Sequence, residues 1–300
     1  MELRHLRYFV TVAEELSFTA AARRLRVSQP PLSQQIRDLE YELKTALFAR
    51  TSRRVELTPA GLSFLEHARA ILAQAEQAVE QARAIGLGRI GTLDIGTTGS
   101  VLLGPLAPLI AAFNAQFPQV LVRLHEMAPQ DQQAALHARR TDVSFLRRPA
   151  DDPDLITELA WHENVGVVLP KQHPLAERTQ IPLSILRDED HVFLRLRDSR
   201  FAQYLRDCCV EAGFTPRISQ QVVESYSLTS LVAGGLGVAL VPECINKLSR
   251  PEIVYRSLAL PAPVADVKII YRPDRSAVVE RFINLARDFL EHFRTIRDVE

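Results

Sequence analysis

The chain has 300 residues, 47% of them hydrophobic and 24% charged, with 36 Lys and Arg balancing 36 Asp and Glu. This is the make-up of a globular protein with a substantial core and room for two or three folding units, and it excludes a disordered or collagen-like chain. Charge is unevenly spread, since the residues through Thr58 hold ten Lys and Arg against seven Asp and Glu, a mild basic bias of the kind that suits a polyanion.

The opening MELRHLRYFV carries charges where a secretion signal needs an apolar run. The longest apolar stretch, Val101 to Phe113, is short for a membrane span and holds Pro105 and Pro108. Together they predict a cytoplasmic chain with no membrane partner. Three cysteines, Cys208, Cys209 and Cys244, make no disulfide framework and read as reduced, mostly buried thiols.

Leu3, Leu6, Phe9, Val10 and Ala13 recur at helical spacing and predict a first helix. Ser17 offers an N-cap to a second helix holding Phe18, Ala21, Ala22 and Leu25. Ser28 offers a cap to a third, with Pro30 and Pro31 in its first turn, where a missing N–H is harmless. Leu32, Ile36, Leu39 and Leu43 form the inner face of that helix. A hairpin-like stretch, LFARTSRRVELT, follows. Thr58-Pro59 then starts a long helix that runs to about Ile85 and stops near Gly86 and Gly88. Leu65, Ala68, Leu72, Ala75, Val79 and Ala82 lie three and four apart on it. Such a seam is buried either against the helix's own domain or against a second copy of the chain; the length of the helix favours the second copy.

From Gly91 the pattern changes to strands alternating with helices. Strands are predicted at Leu93–Gly96, Val120–Leu124, Val143–Leu146, Val165–Leu169, Val192–Leu194, Val238–Val241 and Lys268–Tyr271. Helical stretches fall around 101–115, 130–139, 200–212, 225–234 and 276–294. The fold class is therefore α/β in this region, with largely parallel sheets expected, behind an all-α N-terminal part.

The segment FTAAARRLRVSQPPLSQQIRDLE joins two short capped helices by a tight turn, with small Ala20, Ala21 and Ala22 allowing close approach. Ser28, Gln29, Pro30, Ser33, Gln34 and Arg37 lie at the start and on the outer face of the second helix. Such side chains can reach base edges in a major groove, while Arg37 and the helix N-terminus can reach phosphate. Arg50, Arg53 and Arg54 crowd the hairpin, as a wing gripping the DNA backbone or minor groove would require. Gln29 and Gln34 also fit ordinary solvated surface. The order of the pieces, three helices, a basic hairpin and a long helix, argues for a winged helix-turn-helix.

Residues 6 to 61, LRYFVTVAEELSFTAAARRLRVSQPPLSQQIRDLEYELKTALFART…VELTPAG, resemble the signature of LysR-type transcriptional regulators, and SLTSLVAGGLGVALVPE at 227–243 resembles a motif of that family's second lobe. LHEMAPQDQ and the opening MELRHLRYFV are similar to its aromatic-acid-responsive branch. The resemblance implies a winged helix-turn-helix domain at 1–58, a linker and dimerisation helix at 59–90, and a two-lobed effector domain at 91–300 shaped like a periplasmic binding protein. Lobe I would be 91–162 with 267–300, and lobe II 163–266. It also implies a homotetramer built as a dimer of dimers on double-stranded promoter DNA, an inducer between the lobes, and recruitment of RNA polymerase.

GTTGS, Gly96 to Ser100, follows a strand and opens a helix, where ligands of open α/β sheets gather. A helix start there suits a carboxylate, although the residues equally fit an ordinary capped helix. The resemblance selects Thr98, Gly99 and Ser100 for the effector and adds Ala128, Arg147, Ser199, Phe201 and Ser225 by position. Arg147 is a partner for an anion or a surface residue beside Arg148; Phe201 closes a cleft or fills a core. Ala128 stands where muconate-responsive relatives carry a hydroxyl, and Ser199 where they carry proline, so a different or bulkier effector is open. Peroxide-sensing relatives have a reactive cysteine where this chain has Arg200.

No catalytic constellation is visible. The eight histidines are scattered without metal-ligand spacing, no phosphate-binding glycine loop occurs, and no nucleophile sits in a recognisable elbow. A free-standing solute-binding protein would account for the C-terminal region but not for residues 1–88. The expectation is a regulator, not an enzyme, with no cofactor or metal beyond its small-molecule effector.

Overall fold

Helix capping shapes the N-terminal region. In the computed structural model, which describes residues 1–50 and 54–295, helices α1 (Leu3–Glu15), α2 (Phe18–Leu25) and α3 (Gln29–Leu43) follow one another with two- and three-residue connections. Ser17 Oγ accepts the Ala20 N–H at 3.3 Å, the bond expected of an N-cap. Ser28 occupies the cap position of α3 without making a side-chain bond, and the prolines of the first turn set the entry instead. The three helices end on Leu16, Arg26 and Lys44, each with a positive φ near 50°. Their N–H groups turn back onto carbonyls of the last helical turn, so left-handed caps without glycine create the tight turns.

Leu6, Phe9, Val12, Ala21, Ala22, Leu32, Ile36 and Leu39 pack together as the core of this unit. Phe9 lies 5.3 Å from Phe48 and 5.1 Å from Phe64, ring to ring, which brings in the hairpin and the next helix. The hairpin is β1 (Phe48–Arg50) paired antiparallel with β2 (Val55–Leu57). Helix α4 (Pro59–Gly86) starts on Thr58, whose Oγ1 accepts the Gly61 N–H at 2.9 Å. The predicted seam of α4 divides. Leu65, Ala68 and Leu72 pack into the unit's own core, whereas Val79 and Ala82 are exposed and Ala75 is half-buried. The first half of the stripe therefore belongs to its own domain, because the curved surface of three short helices reaches only that far.

The chain divides into two compact units, Met1–Ala84 and Ile85–Glu300. The second contains β3 (Gly91–Thr97), α5 (Gly99–Val101), a π-turn, α6 (Ala107–Gln116), β4 (Val120–Glu126), α7 (Pro129–His137), β5 (Val143–Arg147) and β6 (Ile156–Trp161). It continues through β7 (Val165–Pro170), β8 (Gln180–Ile181), β9 (Asp190–Leu194), α8 (Arg200–Glu211), β10 (Arg217–Val222), α9 (Ser225–Ala233), β11 (Ala239–Pro242) and β12 (Ile253–Leu258). Finally β13 (Val267–Tyr271) and α10 (Ala277–Thr295) return to the first sheet. That sheet runs β4-β3-β5-β13-β6, and a second runs β11-β7-β12-β8, with β9 and β10 paired beside it.

The sheets are mixed, which corrects the expectation of largely parallel ones. β3 pairs parallel with β4 and β5, but β13 enters antiparallel between β5 and β6, and β7 pairs antiparallel with both β11 and β12. Returning and departing segments cross between two lobes, and the return strand must run against the outgoing ones. Each lobe has its own core, one around Leu93, Phe113, Phe145, Trp161 and Phe282, the other around Val167, Phe193, Leu205, Leu228 and Val241. The helical run Gly99–Gln116 is long and apolar enough to cross a membrane by length and composition, longer than the apolar stretch read from sequence. Val101, Leu106, Leu109 and Phe113 are instead fully buried in the first core. Cys208 is half-buried, and Cys209 and Cys244 are buried, all as free thiols; burial pushes the latter two up to about 12.

A β-carbon on Gly61 would sit 2.1 Å from the Leu47 carbonyl oxygen, which also accepts the Thr58 N–H at 3.0 Å. Gly61→Ala is expected to destabilise the N-terminal unit by about 1–3 kcal/mol through overpacking. A lowered midpoint in urea unfolding of the full chain checks this, and an unchanged one contradicts it.

Candidate functional site

Two separate sites emerge. In the first unit, the start of α3 carries Ser28, Gln29 and Pro30 exposed, with Gln34 and Arg37 exposed one and two turns on and Ser33 half-buried. Gln34 Nε2 donates to Asp38 Oδ1 at 2.8 Å, and Arg37 donates to Gln34 Oε1 at 2.7 Å. The outer face thus presents an ordered relay of amide, guanidinium and carboxylate. Arg50 leans inward, pairing with Glu40 at 2.7 Å and stacking 4.9 Å above the Phe18 ring. Arg54 is exposed and meets Glu56 at 3.5 Å. Arg53 lies outside the described residues.

Glu40 was not singled out from sequence. Its Oε1 accepts the N–H groups of Leu47 and Phe48 at 2.9 and 3.0 Å while Oε2 holds Arg50. One carboxylate on α3 therefore fixes the base of the hairpin to the helix. No local motif announces it, since the bonds form only after the chain reverses.

In the second unit a chamber of about 40 Å³ opens between the lobes. Thr98, Ser100, Arg147, Ser199, Phe201 and Ser225 line it, with Pro129, Leu194, Val223 and Glu224. The structure thereby gathers six of the eight residues selected for the effector from segments far apart in sequence. Gly99 and Ala128 are outside this lining. Gly99 instead faces Glu126, and Ala128 caps α7 beside Pro129. Phe201 serves in both capacities, as a member of the lobe core and as a chamber wall. Ser199 caps α8 through the Ala202 N–H at 3.1 Å. The chamber volume is near that of one water molecule, so any larger ligand must extend outward or part the lobes.

Arg147 is the most constrained of these residues. It ends β5 fully buried and donates to Glu163 Oε2 at 2.6 Å, to Ser100 Oγ at 3.0 Å and to the Ala265 carbonyl at 3.0 Å. Glu163 Oε1 accepts the Cys244 N–H at 2.8 Å. Burial works against the guanidinium charge, but the adjacent Glu163 outweighs it and holds Arg147 above its ordinary value. Arg147 is therefore no surface residue beside Arg148; it lines the chamber with its guanidinium already paired to Glu163. Glu163 was missed because it sits in the crossover between the lobes, where no periodicity marks it.

Glu224 and Glu126 were missed as well. A β-carbon at Gly99 would lie 2.5 Å from Glu126 Oε1 and 3.7 Å from Glu224 Oε2, so one carboxylate from each lobe converges there. Burial, and then the charge of Glu126, raise the Glu224 carboxyl above its usual range.

Residues 3–62 match the bacterial regulatory helix-turn-helix of the lysR family, and residues 87–291 match the LysR substrate binding domain. The chain belongs to the LysR family of transcriptional regulators. It is 38% identical over 289 residues to the HTH-type transcriptional regulator AlsR of Bacillus subtilis, covering 95% of both chains. It is also similar to the crystal structure of CbnR, a LysR family regulator, with a TM-score of 0.86 at 29% identity, over 96% of this chain and all of that one. Full-length CbnR complexed with its target DNA matches with a TM-score of 0.84, at 29% identity, over 97% of this chain and all of that one. The regulator therefore joins a DNA-binding helix-turn-helix to an effector-binding domain, and its relatives are regulators, not enzymes.

A carboxyl whose folded value is raised contributes stability below its unfolded value and loses it as pH rises through the folded one. Glu224→Gln is therefore expected to stabilise the regulator at pH 7.5, with the gain vanishing near pH 4. Thermal unfolding at both values checks this; an equal effect at both would contradict it.

Proposed function

We propose that the regulator reads promoter DNA by laying α3 in the major groove. Ser28, Gln29, Pro30, Ser33, Gln34 and Arg37 would meet bases and phosphates, and Arg50, Arg53 and Arg54 would steady the hairpin on the backbone. The observation that carries this reading is the start of α3, where polar side chains stand exposed on a helix whose other face buries Leu32, Ile36 and Leu39. A relative solved on its target DNA supports it. Arg50, tied to Glu40, positions the hairpin, and the exposed Arg54 would reach phosphate.

The effector is a small molecule between the lobes, and we infer an aromatic or dicarboxylic acid as its class. The hydroxyls of Thr98, Ser100, Ser199 and Ser225 supply hydrogen bonds at one end of it. Arg147 contributes geometry there and little unmatched charge. Gly99 and Ala128 lie outside the lining and adjoin it in sequence, next to Thr98, Ser100 and Pro129. The exposed apolar residues on the second half of α4, Val79 at 50% and Ile85 at 54%, fit a multimer joined along that helix, in keeping with a tetramer. Inducer binding would shift that assembly on the promoter and so its contact with RNA polymerase, in the cytoplasm. Such control requires the inducer to bind one arrangement more tightly than the other.

A duplex from upstream of the regulator's own gene tests the DNA reading. Wild type is expected to prefer it over a scrambled duplex, and Gln34→Ala to lose about 1–3 kcal/mol of that preference, about 5- to 150-fold. Equal binding of both duplexes by wild type in a retardation assay would overturn the reading.

A further inference from the structure

A second cavity of about 210 Å³ adjoins the chamber and shares Pro129 and Ser199 with it. Gln130 and Arg148 line it from one lobe, and Arg197 and Arg200 from the other. Its charges are lopsided. Asp198 is the one carboxylate in the lining, and it is already met by Arg195 and Arg197, each at 3.1 Å. Among the described residues Arg148 and Arg200 have no acidic partner.

Arg148 is also held in place. It takes φ 50°, a region that residues with side chains seldom occupy. Its guanidinium lies 3.6 Å from the centre of the Tyr204 ring. The Tyr204 hydroxyl accepts the Val264 N–H at 3.1 Å, which anchors the ring. An aromatic from one lobe thus fixes the direction of a guanidinium from the other. Arg200 stands in the first turn of α8, where the helix end also favours negative charge.

The inner chamber has the opposite character. The charge of Arg147 is matched by Glu163, and Glu224 lines the wall with Glu126 close by. Ser225, 6% exposed, lines it with no hydrogen-bond partner for its hydroxyl among the described residues. Carboxylates and a free hydroxyl suit a group that donates hydrogen bonds; an anion placed there would face two like charges.

We propose that the outer cavity is an anion subsite, held by Arg148 and Arg200, for the carboxylate or phosphate group of the effector, and that the inner chamber takes a hydroxyl or amine. The effector then has two unlike ends, which separates it from a symmetrical dicarboxylate. This rests on reading the cleft as the effector site and narrows the class of ligand.

The test uses the full-length protein and simple anions. Inorganic phosphate and benzoate are titrated separately against chloride at constant ionic strength while the unfolding midpoint is followed. At about ten times the half-saturating concentration, one or both should raise the wild-type midpoint by about 3 °C. The arm that responds tells phosphate from carboxylate. Arg148→Gln with Arg200→Gln should abolish the rise, Arg200→Lys should keep most of it, and neither should alter retardation of duplex DNA. A rise that persists in the double variant, or no rise in wild type with either anion, overturns the subsite. If the anion response is lost in the double variant but no small molecule changes DNA binding, the subsite stands and the effector reading fails.

Discussion

The buried pair between Arg147 and Glu163 is the constraint on which the C-terminal unit depends. Two charges withdrawn from water at 5% and 7% side-chain exposure are tolerable only when every remaining donor and acceptor is met. Here Ser100, the Ala265 carbonyl and the Cys244 N–H complete the set. Those partners come from the start of the helical run, the returning crossover and the second lobe. One ion pair therefore ties together the segments that must move if the lobes move. Loss of either partner would strand a buried charge, which costs far more than the intact pair contributes.

In the N-terminal unit Glu40 has a comparable part. Its carboxylate satisfies the backbone of the hairpin and anchors Arg50, so the wing is referenced to the same helix that would read bases. A reading head assembled this way keeps its helix and hairpin in fixed relation, and the exposed side chains around Gln34 need adjust only locally.

Much of this architecture is legible in the chain itself. Ser17, Thr58 and the Pro30-Pro31 pair mark helix starts by chemistry that acts within four residues, and the 3–4 spacing of Leu32, Ile36 and Leu39 marks a buried face. Strands β5, β7 and β13 stand out because both faces are covered and their sequences are mostly apolar, and β3 stands out by Leu93 and Ile95 alternating with Thr92 and Asp94. β10, with its run ISQQV, does not, because it is polar on an exposed side. The inter-lobe chamber was legible at Thr98 and Ser100 from the turn between a strand and a helix, and at Arg147, Ser199, Phe201 and Ser225 only through resemblance, while Glu163, Glu224 and Glu126 were not legible. Those three act through partners 16 to 98 residues away, and no pattern of spacing encodes a contact formed by two lobes closing. The seam on α4 shows the converse, a clear periodicity that does not say which surface it meets.

The placement of β13 between β5 and β6 has a bearing on how the chain is made. Lobe II is one continuous stretch, whereas the first sheet is interrupted in the middle and waits for Val267–Tyr271 to fill the gap. A ribosome moving from the N-terminus therefore releases a reading head first, then four strands of a five-stranded sheet with an unfilled slot, then an entire second lobe. The slot exposes the backbone edges of two strands until the last tenth of the chain emerges, so translation pauses in that interval would be the moments when the nascent regulator is most open to pairing with the wrong strand.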